Sequence, residues 1–109
     1  MSYADVLTAL ADPTRRSILE SLRDAPRTVG ELAAHRPVSR PAVSQHLRVL
    51  ERARLVHAEA RGNRRFYSVR RDGLDELRGY LETFWSDVLN AYSAEIQRRT
   101  GHARTRRKR

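Results

Sequence analysis

The segment Ser39-Arg40-Pro41-Ala42-Val43-Ser44-Gln45-His46-Leu47-Arg48-Val49-Leu50 narrows the folding options of this chain more than any other. Val43, Leu47 and Leu50 recur at helical spacing, so the segment forms a helix with one face to bury. Ser39 is an N-cap residue, and Pro41 falls in the first turn, where its missing N–H leaves no bond unmade. The remaining face carries Arg40, Ser44, Gln45 and Arg48 and no carboxylate. Such a helix needs a partner layer for its apolar side and leaves a cationic, hydrogen-bonding side in solvent. His46 borders the packed face and is read as structural.

The flanking sequence supplies that layer. Val6, Leu7 and Leu10 repeat at helical spacing within 3–11. Asp12-Pro13-Thr14 reads as a second helix start, with an Asp cap and Pro at the first helical position. Ile18, Leu19 and Leu22 form its buried stripe, and Asp24-Ala25-Pro26 ends it. Thr28-Val29-Gly30-Glu31 fits a capping box opening a short third helix, whose Val29, Leu32 and Ala33 face inward. Arg36-Pro37-Val38 turns the chain into the helix at 39–50. Beyond Ala53 the period changes to short extended runs at 55–60 and 65–69, and Arg61-Gly62-Asn63-Arg64 provides the turn of a β-hairpin. Asp72 is placed to cap a long helix over 73–99, about 40 Å at 1.5 Å per residue. Gly101 is a natural stop. The fold expected is mainly α with a small β-hairpin, in winged helix-turn-helix order. Its domain covers 1–100, and a basic tail at 101–109 is expected to be disordered.

Charge points the exposed faces toward a polyanion. The net charge is +9 over 109 residues, carried almost wholly by arginine, with Lys108 the sole lysine. Between 61 and 71 stand five arginines (Arg61, Arg64, Arg65, Arg70 and Arg71) and no acid. Arg64 and Arg65 lie at the hairpin tip, where a wing meets the minor groove or flanking phosphates of double-stranded DNA, and Arg61, in the turn, is counted with them as DNA-binding. Arg70 and Arg71 are nearer its base, where acids of the long helix are equally available. The helix at 39–50 fits the major groove, which its N-terminal half would read. Ser39, Arg40, Ser44 and Gln45 belong to that half. Gln45 suits adenine, Arg40 a guanine edge or a phosphate, and Ser44 either a base or a phosphate. Arg48, a turn further on, is assigned to the backbone. The tail at 104–109 carries five positive charges and is either a solvated terminus or a non-specific DNA-tracking arm.

The chain has no cysteine, which excludes disulfides and thiolate metal sites. No apolar run approaches a membrane span, and Met1-Ser2-Tyr3-Ala4-Asp5 does not open a signal peptide, so a cytoplasmic protein is expected. No glycine-rich phosphate loop or triad context marks an enzyme, and no cofactor is expected. The long helix carries Leu74, Leu77, Leu81, Phe84, Trp85, Val88, Leu89, Tyr92 and Ile96, a wider apolar stripe than one small domain needs. That width favours a homodimer. A twofold dimer sets its two reading helices about 34 Å apart, one DNA turn, so the expected target is an inverted repeat.

These residues resemble the ArsR/SmtB family of bacterial transcriptional regulators. Ala9-Leu10-Ala11-Asp12-Pro13-Thr14-Arg15-Arg16 is similar to the family's opening signature. Glu31-Leu32-Ala33 and Ser44-Gln45-His46-Leu47-Arg48-Val49-Leu50 resemble its helix-turn-helix, and Leu55-Val56 with Gly62-Asn63-Arg64-Arg65-Phe66-Tyr67 resembles its strand and wing. The resemblance implies a homodimeric repressor, often acting on its own promoter. Its first and last helices would form the interface: Val6 and Leu7 from the first, and Leu77, Leu81, Phe84, Trp85, Val88 and Tyr92 from the last. Metal-sensing members carry paired cysteines where this chain has Ala33 and Ala34, and others place Asp and His pairs on a last helix that here lacks His. No metal is therefore expected at those positions, while a small-molecule effector among the interface aromatics is left open. Two other functions fit the same residues: non-specific nucleic-acid coating driven by arginine charge, and a protein-interaction module built on the long helix.

Overall fold

The computed structural model describes the backbone of residues 3–108 and the side chains of residues 3–100. The elements run α1 (Tyr3–Leu10), α2 (Pro13–Ser21), α3 (Val29–Ala33), α4 (Arg40–Arg52), β1 (Val56–Arg61), β2 (Arg64–Val69) and α5 (Arg71–Lys108). Two compact units divide the chain, Met1–Leu77 and Arg78–Arg109. That boundary lies inside α5 and does not coincide with the one expected at residue 100. Nor does α5 stop at Gly101: a glycine weakens a helix without breaking it, and ends one only where the backbone turns left-handed. The basic tail's side chains fall outside the described residues.

Cap chemistry sets the helix starts of the first unit. Asp12 Oδ1 accepts the Thr14 and Arg15 amides at 2.8 and 3.1 Å. The Thr28 amide donates to Glu31 Oε1 at 2.8 Å, and the Glu31 amide donates to Thr28 Oγ1 at 3.2 Å, closing the capping box. Ser39 Oγ accepts the Ala42 amide at 3.3 Å. The end of α1 is closed by residues that follow it. Arg15 Nε donates to Ala9 O at 2.7 Å and Arg16 Nη1 to Leu10 O at 2.7 Å, with longer bonds from the same two side chains to Thr8 O and Ala11 O. Carbonyls that α1 cannot satisfy internally thus find charged donors. The Asp-Pro-Thr-Arg-Arg run is one joint: its acid starts α2 and its arginines finish α1.

Val6, Ala9, Ile18, Leu22, Leu32, Val43, Leu47, Leu50, Ala53, Leu55, Val56 and Tyr67 form the core. The expectation that Val6 belongs to a dimer interface is corrected here. Val6 is fully buried inside the single chain, and its neighbour Leu7 is the exposed one. Adjacent helical positions point about 100° apart, so an apolar pair cannot both face the same way. Leu77 likewise packs against this core and is only partly exposed.

The hairpin is antiparallel, pairing Val56 with Val69 through Arg61 with Arg64. Gly62 takes the left-handed conformation of its turn, at φ 64°. Arg27 and Tyr67 exchange both backbone hydrogen bonds, at 2.9 and 2.8 Å, so the segment entering α3 is stitched to the wing. At the other end α4 turns into β1 through Arg54, whose φ of 63° is positive and costs a non-glycine residue about 1 kcal/mol. Its carbonyl accepts the Gly73 amide at 2.8 Å, and its guanidinium reaches Asp72 at 3.1 Å. Asp72, expected as the cap of α5, sits in the first turn instead and holds Arg54 and Arg70.

Three carboxyls lie below their ordinary range. Hydrogen bonds from the Arg15 and then the Thr14 amide lower Asp12, Thr28 lowers Glu31 through its amide and hydroxyl, and the Arg70 guanidinium lowers Asp72. Each favours folding while ionised. That contribution is whole above the ordinary carboxylate range, about pH 4 to 4.5, and is lost as pH falls through the lowered values. The melting temperature should therefore drop on acidification below about pH 4.5. Asp12→Asn still caps but cannot titrate, so it should keep neutral stability and show a shallower acid slope. A slope as steep as the wild type's would contradict this account of Asp12.

Candidate nucleic-acid interface

The reading face is the part of α4 that the core does not use. Val43, Leu47 and Leu50 are buried, Ser44 and His46 are half-buried, and Arg40, Gln45 and Arg48 are exposed. Ser39 is exposed at the start; its oxygen accepts the Ala42 amide, while its hydroxyl proton remains able to donate. Arg40, Ser44, Gln45 and Arg48 are therefore on one continuous helix that Ser39 caps, and three core contacts position it.

The wing departs in detail from the sequence expectation. Arg61, Arg64 and Arg65 are exposed, as a contact surface requires. Glu59, two residues before the acid-free run, pairs with Arg61 at 3.4 Å. Phe66 lies on the same face of the hairpin, with the Arg61 and Arg64 guanidiniums 5.0 and 5.3 Å from its ring centre. Arg61 and Arg64 are also direct cross-strand partners. Opposed like charges destabilise a hairpin, and the shared ring and Glu59 offset part of that repulsion. Sequence reading passed over Phe66; its alternation with Arg64 along one strand face was the available signal. Across the same face Ser68 Oγ lies 2.8 Å from His57 Nε2.

Other arginines counted toward the basic charge are used inside the fold. Arg36 donates to Leu32 O at 2.6 Å and to Ser17 O at 2.9 Å, and also reaches Ser21 Oγ, tying α2 to α3. Arg27 Nε donates to Ser21 O at 2.9 Å. Arg70 and Arg71 pair with Asp72 and Asp75, as their position near the wing base allowed. Among the described residues, exposed cations on α4 (Arg40, Arg48 and Arg52) and at the hairpin tip (Arg64 and Arg65) are left for a polyanion. Among the described residues no group of three or more His, Cys, Asp or Glu could hold a metal ion, and no helix is long and apolar enough to cross a membrane.

In the second unit, Leu81, Phe84, Trp85, Val88, Leu89, Tyr92 and Ile96 of α5 are all 42% exposed or more, so the expected apolar stripe exists and is uncovered. Tyr80 meets Phe84 edge to face, with ring centres 6.1 Å apart.

A capped helix pair whose second member exposes Arg40, Gln45 and Arg48 on its N-terminal turns, followed by an arginine-tipped hairpin, defines a winged helix-turn-helix DNA-binding protein. Known proteins agree. Residues 12–58 match the family model described as bacterial regulatory protein, arsR family. The chain is 54% identical over 88 residues, 81% of its length and 82% of the relative's, to the HTH-type transcriptional regulator Rv2034 of Mycobacterium tuberculosis. It is 32% identical over 80 residues, 73% of its length and 89% of the relative's, to the transcriptional repressor SdpR of Bacillus subtilis. The solved ArsR-like transcriptional regulator from Rhodococcus sp. RHA1 is similar with a TM-score of 0.78 and 32% identity, covering 87% of this chain and 90% of that one. The chain belongs to the ArsR/SmtB family of transcriptional regulators.

Proposed function

We propose that this protein is a homodimeric repressor that binds an inverted-repeat operator, with one α4 in each of two successive major grooves. The observation that carries the reading is the exposed N-terminal part of α4, where Arg40, Gln45 and Arg48 stand with no acid before Glu51 in the last turn. Ser44 and Gln45 read base edges from it. Ser39 and Arg48 hold the sugar-phosphate backbone, as do Arg61, Arg64 and Arg65 on the hairpin. Repression is supported by the similarity to a relative named a transcriptional repressor. Two apolar sets support the dimer: Leu7 on α1, 46% exposed, and the open stripe of α5, with Trp85 63% exposed. A small-molecule effector, if the protein answers to one, would meet the aromatics of that interface.

Footprinting on the DNA upstream of the protein's own gene tests the reading; a protected inverted repeat is expected, and uniform coverage would defeat it. Gln45→Ala should cost about tenfold or more in affinity for the protected site and leave mixed-sequence DNA unaffected. Fluorescence anisotropy on both duplexes reads the difference. If Ser44→Ala and Gln45→Ala change nothing while removal of 104–109 abolishes binding, the protein coats DNA without reading it.

A further inference from the structure

Arg40 does not project as a simple member of the reading face. It is the first residue of α4, and its guanidinium lies back over α3. A methyl group placed on Gly30 would stand 3.3 Å from Arg40 Nη2, tighter than most such contacts, and 3.5 Å from its Cζ, an ordinary contact. Gly30 is otherwise a poor choice for its position, because glycine inside a helix is less favourable than alanine. The guanidinium gives it a reason. Around the same point opens a notch of about 330 Å³ lined by Thr28, Val29, Gly30, Arg40, Arg64 and Arg65. Three of its six lining residues are arginines and none is an acid. Among the described residues none of those arginines forms a salt bridge, whereas Arg54, Arg61, Arg70 and Arg71 all do. Glu31, the nearest acid along the chain, is engaged in capping α3 through the Thr28 amide; it feels the charge of Arg64 but forms no salt bridge with it. Three guanidiniums lining one solvent-open notch repel one another; the Phe66 ring beside Arg64 and the charge of Glu31 offset part of that, and a bound anion would offset more.

We propose that this notch seats one DNA backbone phosphate, held by Arg40 from α4 and by Arg64 and Arg65 from the wing, and that Gly30 is the positioning residue that keeps it open. The proposal rests on the DNA-binding reading above and deepens it. It assigns Arg40 to the backbone, leaving Ser44 and Gln45 as the base readers. It also gives the helix and the wing a common anchor point on one strand, which fixes how deeply α4 enters the groove.

Salt-dependent binding to a mixed-sequence duplex of about three turns tests it, because a phosphate contact acts on every sequence alike. Arg40→Ala should weaken binding roughly tenfold on mixed-sequence and operator DNA alike, and should lower the slope of log K against log salt by about one. Gly30→Leu should fill the notch and reproduce both effects with an unchanged melting temperature. Gly30→Ala, which intrudes less, should fall between it and the wild type. The Gly30→Leu/Arg40→Ala double variant should be no worse than Arg40→Ala, since both remove the same contact. A merely structural glycine would lower the melting temperature and leave the salt slope alone. If wild-type protein binds with a steep salt slope and Arg40→Ala keeps both that slope and mixed-sequence affinity, the seat is wrong while the DNA-binding reading stands. Wild-type protein that binds no duplex overturns both.

Discussion

Gly73→Ala should destabilise the protein by about 3 kcal/mol and lower its melting temperature by roughly 10 °C. A Cβ at that position would lie 2.4 Å from the Ala53 carbonyl oxygen and 2.9 Å from that of Arg54. Both are backbone atoms at the end of α4, where the chain already holds Arg54 at positive φ. Neither can swing aside as a side chain could. Relief would require α5 to withdraw, breaking the Gly73 amide's bond to Arg54 O and parting Asp72 from Arg54. Gly79 provides the control on the same helix, since nothing lies within 4 Å of its Cβ position. There the same substitution should raise stability by about 1 kcal/mol through helix propensity. Thermal melts of the two variants by circular dichroism decide the matter, and a Gly73→Ala protein that melts with the wild type would refute the close-approach account.

Removing both rings of the α5 stripe, Phe84→Ala with Trp85→Ala, should weaken dimerisation by about 4 kcal/mol, close to a thousandfold in dissociation constant. The two side chains are 49% and 63% exposed, part of an apolar patch of the kind that marks an interaction surface. Sedimentation equilibrium should find monomer at concentrations where the wild type is dimeric, with the helical circular dichroism signal retained in the first unit. Operator affinity should fall with it, because two linked readers bind a repeat far more tightly than one. A variant that remains dimeric would move the interface elsewhere, and a wild type that sediments as a monomer would remove it.

The parts of this structure legible in the sequence are those whose chemistry is local. Asp12, the Thr28–Glu31 box and Ser39 each bond within three residues of themselves, so their spacing already contains the geometry. The hairpin was legible because Gly62 and Asn63 sit between two extended runs. The polar face of α4 followed from period alone. Contacts that depend on how elements cross were not legible. Arg36 looks like one more surface cation until α2 is brought against it. Gly73 reads as an ordinary helix residue until the end of α4, some twenty residues earlier, closes over it. Arg40 has the spacing of a base reader, yet its side chain follows α3. Val6 and Leu7 differ only in direction, which hydrophobicity does not encode.

The Arg15 and Arg16 clasp on the end of α1 bears on how mutants of this protein would be interpreted. A screen for constitutive expression recovers any lesion that frees the promoter. Changes at either arginine would loosen the first helix, and with it the surface that Leu7 presents, without altering one atom of the reading face. Such alleles would mimic contact mutants in a reporter assay while leaving each reading head chemically intact. On the proposed dimer, forced pairing through a fused dimerisation domain would restore repression to them and not to alleles at Gln45, so suppressor genetics would sort the two kinds.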